Sequence, residues 1–141
     1  MIGRALAIDY GGKRTGLAIS DALGITAQPM KAVVSPSLDV TVDAIAIFAR
    51  EREVKTIVLG MPFLPDGSEG EQVDRVRHFK MSLKAKLAEG VEIVEWDERH
   101  TTKEAEAMWR EAGYSKKKAK EFIDSTVAVI LLREYLNSVA R

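Results

Sequence analysis

The chain has 141 residues, no cysteine and 21 basic against 21 acidic side chains, so that its formal net charge at pH 7 is zero. This length is typical of one domain, spanning residues 1–141, and the lack of cysteine excludes disulfides and thiolate metal sites. The balanced charge excludes a surface that binds nucleic acid as a whole, and the lack of a long apolar segment or signal core predicts a cytoplasmic protein with no membrane association.

Three short apolar segments near the start of the chain predict an antiparallel meander of strands. They comprise Ala5–Tyr10, Leu17–Ser20 and Met30–Val34, and their connections are short. A helix is expected next, because Ser37 or Asp39 can cap it and apolar residues recur at helical spacing. These apolar residues are Val40, Ala44, Ile47 and Phe48.

Strands and helices alternate through the rest of the chain. Strands are predicted at Lys55–Gly60 and Val91–Trp96, and the helix between them carries apolar residues on one face, namely Val73, Val76, Phe79, Leu83 and Leu87. Ser68 and Glu71 can form a capping box at the start of this helix, and Gly90 is expected to end it. A short helix over 101–113 and a last helix after the lysine-rich segment 116–120 complete the order. This order predicts an α/β fold in which a five-stranded mixed sheet, with an antiparallel three-strand meander and two parallel strands, is flanked by helices.

An aspartate stands where the first predicted strand ends. Asp9 is followed by a turn through two glycines, and the next strand restarts at Gly16. A carboxylate in this position can hold a hard divalent cation, while the glycine backbone and the neighbouring Lys13 and Arg14 can approach phosphate. The alternative is a hairpin in which the carboxylate only caps the turn.

Further acidic residues are expected near Asp9. Asp97 and Glu98 stand where the fifth predicted strand ends, and Asp124 lies at the margin of the apolar face of the last helix. If the first and fifth strands flank the fourth, about two strand spacings of roughly 4.8 Å separate their ends, a gap that side chains and a metal ion can bridge. An uncompensated carboxylate at the margin of a buried face is costly, so Asp124 needs a partner such as a shared metal.

Several motifs in a fixed order resemble the YqgF family, also called RuvX, over nearly the whole chain. They are Ile8–Gly11 with Lys13–Gly16, Gly60–Pro62, Asp66–Gly70, Asp97–Arg99 with Thr101–Thr102, and Asp124–Ser125. The family has an RNase H-like fold and is assigned as a nuclease that matures the 5′ end of pre-16S rRNA, the precursor of the small-subunit ribosomal RNA. It is also discussed as a Holliday junction resolvase.

The resemblance implies a set of metal-binding carboxylates. Asp9 matches the first-strand aspartate of the family, and Asp124 matches the aspartate of its last helix. For the middle position we favour Glu98 and keep Asp97 open, because strand alternation sends these two side chains to opposite faces and only one is expected to reach the metal. Related resolvases carry a second acid three residues later in the last helix, where this chain has Val127, so the number of metal ions stays open.

These residues predict a metal-dependent phosphodiesterase. Oxygen ligands favour Mg²⁺ or Mn²⁺ over zinc, and two ions are expected to activate a water for in-line attack and to stabilise the leaving oxygen. Lys13, Arg14 and Arg99 are candidates to orient phosphates beside the metals. The predicted second helix offers further basic residues for contacts to a nucleic-acid backbone, although most of them are expected to be solvated. They are Arg75, Arg77, His78, Lys80 and Lys84.

Three alternatives stay open beside processing of the RNA precursor, for which ribosomal particles are the expected partners. The first is resolution of four-way DNA junctions, which requires a symmetric homodimer rather than a monomer. The second is a non-catalytic RNA-binding role in ribosome assembly, in which the acidic residues serve the structure alone. The third follows from the glycine-rich hairpin, which resembles the phosphate-binding hairpin of actin-like ATPases, although one short chain cannot supply their second domain.

Overall fold

Five strands form a mixed sheet in the computed structural model. The structure describes residues 3–99, 107, 110–111, 113 and 116–140, and for residues 116–125 it describes the backbone alone. The strands are β1 Arg4–Asp9, β2 Arg14–Ser20, β3 Ala27–Val34, β4 Val54–Met61 and β5 Glu92–Asp97. Their order across the sheet is β3-β2-β1-β4-β5, in which β1, β2 and β3 are antiparallel neighbours and β4 is parallel to both β1 and β5. The predicted meander, and the position of the fourth strand between the first and the fifth, are confirmed.

Helices cover both faces of the sheet. α1 (Leu38–Glu51) and α2 (Glu71–Lys84) cover one face, and α3 (Lys116–Val139) covers the other. The short helix predicted over 101–113 lies mostly outside the described residues. Within the part of the chain that is described, no helix has the length and apolar character needed to span a membrane.

The buried face of α1 differs from the predicted one. Val40 and Ile47 are 55% and 53% exposed, and Ala44 between them is exposed as well. The helix packs through another set of residues, namely Thr41, Val42, Ile45, Ala46 and Ala49. The prediction was wrong for Val40, Ala44 and Ile47, while Phe48 packs partly buried against the core. Two apolar stripes run along α1, and helical periodicity alone does not tell which of them meets the sheet.

The two ends of α2 also differ from the prediction. Gly70 is the N-cap, and as a glycine it has no side chain to cap the helix. Ser68 lies before the cap and bonds to Asp66 Oδ1 through its backbone N–H (2.9 Å) and its hydroxyl (2.6 Å). The capping box is therefore wrong. The helix ends at Lys84, and Gly90, with a φ of 90°, belongs to the turn before β5. The apolar face is confirmed for the buried residues Val73, Val76, Phe79 and Leu83.

Small side chains on one face of the sheet allow α3 to lie close to it. Alternation along the strands places Ala5, Ala7, Ala18 and Val58 on this face, while larger aliphatic residues fill the other. Tyr135 of α3 meets Trp96 of β5 edge-on, with ring centroids 5.8 Å apart. By the same alternation, Asp9 and Gly60 lie on the side of the sheet that α3 covers.

Candidate active site

A tight turn follows Asp9 at the end of β1. The Thr15 hydroxyl donates to the Gly11 carbonyl (3.2 Å), and a Cβ at Gly11 would overlap the carbonyl oxygen of Arg14, so the turn requires glycine there. Asp9 is partly buried, while Lys13 and Arg14 are exposed on the turn beside it. The carboxyl end of β1 therefore presents one carboxylate with two cations close by in the chain.

Glu98 lies next to Asp9, across the end of β4. Its backbone N–H donates to the Met61 carbonyl (3.1 Å), and its side chain forms a hydrogen bond with the Asp9 carboxyl. A Cβ at Gly60 would overlap Glu98 Oε2 and would lie 2.8 Å from Leu131 Cδ1. The absence of a side chain at Gly60 therefore makes the room that the Glu98 carboxyl occupies.

Asp97 is hydrogen-bonded to Arg99 at the end of β5. Asp97 Oδ1 accepts the backbone N–H of Arg99 (3.0 Å), and Asp97 Oδ2 accepts a bond from Arg99 Nε (2.9 Å). Arg99 Nη1 also donates to the Pro65 carbonyl at 3.5 Å, which links the end of β5 to the loop before α2. Of the two acidic residues at the end of this strand, Glu98 is therefore the one beside Asp9, and Asp97 orients Arg99.

The Glu98 carboxyl is strongly perturbed by its surroundings. Burial raises the pKa of Glu98 most, and the Asp9 carboxylate raises it further through repulsion and a hydrogen bond, with Asp97 adding to the effect, so that the pKa is about 9. Glu98 Oε2 is buried and has no hydrogen-bond partner among the described residues. Repulsion disfavours ionisation of both neighbouring carboxyls, so Glu98 carries a proton at neutral pH when no cation is bound.

We expect the free energy of unfolding of the metal-free protein to fall as the pH rises from about 4.5 to about 9. Within this window the folded state holds a proton on Glu98 that the unfolded chain has lost, so higher pH favours unfolding. The slope is at most about 1.4 kcal/mol per pH unit. Urea unfolding in EDTA at several pH values measures this slope of the unfolding free energy against pH. Glu98→Gln should make the slope smaller. An unchanged slope in this variant would show that Glu98 does not cause the effect.

The residues at this end of the sheet fit a hard divalent cation. The carboxyl groups of Asp9 and Glu98 offer oxygen donors, which Mg²⁺ and Mn²⁺ prefer, and a cation would supply the partner that Glu98 Oε2 lacks. The described residues contain no group of three or more acidic, histidine or cysteine side chains that could hold a metal. The backbone of Asp124 lies in α3, its side chain falls outside the description, and Val127 is buried in the core.

Ion pairs occupy some of the basic residues that the sequence assigned to a nucleic-acid surface. Arg77 pairs with Glu69 and Glu95, and Lys80 Nζ lies 3.2 Å from Glu95 Oε2. Partial burial raises the pKa of Glu95, but the bonds from Arg77 and Lys80 outweigh it, so the net pKa is lowered. Arg77 and Lys80 therefore connect α2 to β5 and to the preceding loop, and their charges are balanced within the protein.

The sequence does not predict two features of the site. One is the space at Gly60 for Glu98, although a glycine at the end of an apolar strand is a recognised sign of close approach. The other is a cleft of about 320 Å³ between the β1–β2 turn and the starts of α1 and α2. The residues that line this cleft are scattered along the chain, and only the packing of the three segments brings them together.

Known relatives match nearly the whole chain. A family model described as "RuvX: Holliday junction resolvase" matches residues 3–138. A protein of Syntrophus aciditrophicus is 38% identical over 138 residues, covering 98% of this chain and 91% of that protein. A protein of Halalkalibacterium halodurans is 42% identical over 136 residues, covering 95% of this chain and 96% of that protein. Both relatives carry the name "Putative pre-16S rRNA nuclease".

Solved structures of resolvases have the same fold. Fowlpox virus resolvase, in a complex with Holliday junction DNA, has a TM-score of 0.63 at 12% identity, covering 98% of this chain and 99% of that chain. T. thermophilus RuvC, in complex with a Holliday junction substrate, has a TM-score of 0.57 at 16% identity, covering 97% of this chain and 96% of that chain. At these identities the likeness concerns the fold, and it confirms the RNase H-like architecture. Because the family model and the curated relatives align over almost the whole length of the chain, the chain belongs to the RuvX family.

Proposed function

We propose that the protein is a metal-dependent nuclease that hydrolyses phosphodiester bonds to process the 5′ end of pre-16S rRNA. The pair of Asp9 and Glu98 carries this proposal, because it leaves a buried carboxylate oxygen without a hydrogen-bond partner among the described residues. An unsatisfied buried polar group costs about 1–3 kcal/mol, a cost that a bound cation would offset. The names of the curated relatives support pre-16S rRNA as the substrate.

Three acidic residues are the proposed metal ligands, namely Asp9, Glu98 and Asp124. When bound, two Mg²⁺ or Mn²⁺ ions would lower the pKa of the attacking water and stabilise the leaving oxygen. Position 124 lies about two helical turns before Leu131, so the two positions share one side of α3. Leu131 lies beside Gly60 and therefore near the Glu98 carboxyl, which supports Asp124 as a residue of the same site.

Three basic residues are proposed to bind phosphates of the substrate. Lys13 belongs to the turn after Asp9, Arg14 begins β2, and Arg99 directly follows Glu98 in the chain. A guanidinium group can bind phosphate through two parallel hydrogen bonds. The contacts of Arg99 with Asp97 and with the Pro65 carbonyl orient its side chain before substrate binds, which lowers the entropy cost of binding.

Arg99→Ala is expected to raise KM for the RNA substrate about tenfold or more, because a hydrogen bond to a charged group is lost. Asp97→Asn should raise KM less, since it keeps the Arg99 charge and weakens only its orientation. Steady-state cleavage kinetics measure both effects, and Lys31→Ala on β3 is the control, because it removes an exposed positive charge elsewhere on the sheet. Equal KM values for Arg99→Ala and Lys31→Ala would contradict the proposed role.

Resolution of four-way DNA junctions is the second candidate function. The description of the matching family model names this activity, and both superposed resolvases were solved with junction DNA. Junction resolution needs two symmetric copies, because two opposed strands must be cut in concert. Analytical ultracentrifugation with and without junction DNA tests this requirement, and a protein that stays monomeric in both conditions argues against this function.

One experiment separates the candidate functions. Pre-16S rRNA with its 5′ extension and a four-way DNA junction are offered in parallel, each with Mg²⁺, Mn²⁺ or EDTA. Our proposal predicts that the RNA is cut near the mature 5′ end and only when metal is present. Cutting of the junction alone supports the second candidate, and binding of RNA without cleavage supports a non-catalytic assembly factor. Cleavage that continues in EDTA contradicts the metal-dependent mechanism.

A further inference from the structure

A cleft beside the proposed active site has no role in the mechanism above. Its volume is about 320 Å³, and it lies where the β1–β2 turn meets the starts of α1 and α2. Tyr10 and Gly12 form its wall on the side of the turn, and Tyr10 directly follows Asp9 in the chain. Because consecutive Cα atoms are about 3.8 Å apart, the cleft begins one residue away from a proposed metal ligand. The Tyr10 side chain packs on Phe79, on the side of the sheet opposite Asp9, so a nucleic-acid strand with a phosphate at Asp9 would reach the cleft across the carboxyl end of β1.

The wall of the cleft has an apolar part and a polar part. Tyr10 and Leu38 form the apolar part, and the Tyr10 ring is held in place by Phe79, with ring centroids 4.3 Å apart and an angle of 16° between the planes. The polar part consists of four exposed residues of α2, which are Gln72, Asp74, Arg75 and His78. An apolar wall with donors, acceptors and a cation opposite it matches a nucleotide, which has a flat base with polar edges and an anionic phosphate.

Arg75 differs from the paired cations of the same helix. Arg77 and Lys80 are engaged by acidic residues, whereas Arg75 and His78 form no ion pair or side-chain hydrogen bond within the described part of the chain. An arginine without an internal partner is available to a phosphate. Asp74, on the same wall, would repel a phosphate but accepts hydrogen bonds from amino groups of a base.

We propose that this cleft binds one nucleotide of the substrate strand, on the other side of the β1 end from the phosphodiester that is cut. The base lies against Tyr10 and Leu38, its polar edge faces Gln72 and Asp74, and the phosphate contacts Arg75. This inference rests on the proposed nuclease function and adds a subsite to it. The subsite would fix the register of the strand relative to the metal-binding carboxylates.

Binding of labelled oligonucleotides tests the inference with a matched pair of variants. Arg75→Gln and Lys84→Gln each remove one positive charge from an exposed position of α2, but only Arg75 lines the cleft. Fluorescence anisotropy with single-stranded 12-nucleotide RNA and DNA, in EDTA to prevent cleavage, measures Kd. We expect Arg75→Gln to raise Kd about tenfold and Lys84→Gln to raise it less than about twofold. Equal increases would overturn the inference, since they would reflect general electrostatics.

A second measurement tests the contact with the base. A series of RNA oligonucleotides, each lacking one base at a different position, is bound to the wild-type protein. We expect Kd to rise about fivefold or more at one position and little at the others. The effect should shrink in Arg75→Gln, because the nucleotide is then held less firmly. A uniform effect of base removal along the strand would overturn the subsite.

These binding measurements do not depend on cleavage, so the failure of either proposal can be recognised. If the protein cuts pre-16S rRNA but Arg75→Gln and Lys84→Gln bind equally well, the subsite is overturned and the nuclease function stands. If the protein cuts no substrate but Arg75→Gln selectively weakens binding, the nucleotide site stands and the nuclease function is overturned. Thermal melting of both variants confirms that each is folded.

Discussion

Asp9→Asn is expected to reduce cleavage of pre-16S rRNA by at least about a thousandfold without unfolding the protein. The substitution keeps the size of the side chain but removes the negative charge, and with it most of the affinity for a hard cation. It also removes the repulsion that raises the pKa of Glu98, so the metal-free fold should not lose stability. Single-turnover cleavage with excess protein, together with urea unfolding, measures the two effects separately.

Asp39→Asn is the matched control for this variant. Asp39 is an exposed residue in the first turn of α1, which covers the face of the sheet opposite the one on which Asp9 lies, and it does not line the cleft. The same chemical change there should leave cleavage within about twofold of the wild type, as is usual for surface substitutions. Cleavage by Asp9→Asn at a rate close to that of Asp39→Asn would contradict a catalytic role for the carboxylate pair.

Gly60→Ala is expected to lower cleavage at least about a hundredfold, more than its effect on stability would suggest. The new methyl group would overlap Glu98 Oε2 and approach Leu131 Cδ1 to 2.8 Å. Both atoms are the ends of flexible side chains, so the fold can adapt at a cost of about 1–3 kcal/mol, but Glu98 must leave its position beside Asp9. Cleavage kinetics at a temperature well below the melting point, with melting curves of the same samples, measure the two effects.

A core substitution on the other face of the sheet serves as the control for Gly60→Ala. Val76 is buried in α2, and Val76→Ala should cost about 1–3 kcal/mol of stability while leaving the carboxylates in place. We therefore expect the two variants to have similar stability but very different activity. Equal activity of the two variants would show that the position of Glu98 does not matter for cleavage.

Local patterns predict the antiparallel meander and the parallel strands, but they do not specify beside which strand β4 lies. Short connections produce the antiparallel meander, and alternating strands and helices produce the parallel pairs. Once β4 lies between β1 and β5, Asp9 and the end of β5 must be neighbours. The meeting of residues so distant in the chain therefore follows from the position of β4, which the sequence suggested only as a condition.

The position of Glu98 beside Asp9, with Asp97 bonded to Arg99, could not be predicted from the sequence. The alternation of side chains along β5 predicts that Asp97 and Glu98 lie on opposite sides of the sheet, but it does not predict which of them faces α3. The contact of Trp96 with Tyr135 fixes the alternation of the strand end, and Arg99 then takes Asp97 as its partner. Neither contact could be inferred from the sequence, because each depends on how the last helix and the loop before α2 pack.

The errors in α1 and α2 have a similar physical origin. α1 carries two apolar stripes, and the sheet buries the one with smaller residues such as Ala46 and Ala49. At the start of α2, Ser68 has a nearer partner in Asp66 than the first turn of the helix. In α1 more than one face fits helical periodicity, and at the start of α2 more than one residue could cap the helix. Contacts made elsewhere in the fold decide which face is buried and which residue is the N-cap.

Calorimetric titration of Mn²⁺ into the metal-free protein and three variants tests the proposed metal-binding carboxylates most directly. The proposed site predicts that the wild type binds Mn²⁺ and that Asp9→Asn and Glu98→Gln each lose at least about tenfold in affinity. Asp97→Asn should bind Mn²⁺ about as well as the wild type, because Asp97 is hydrogen-bonded to Arg99 and is not one of the proposed ligands. Unchanged affinity in Asp9→Asn and Glu98→Gln, or a loss confined to Asp97→Asn, would contradict the proposed site.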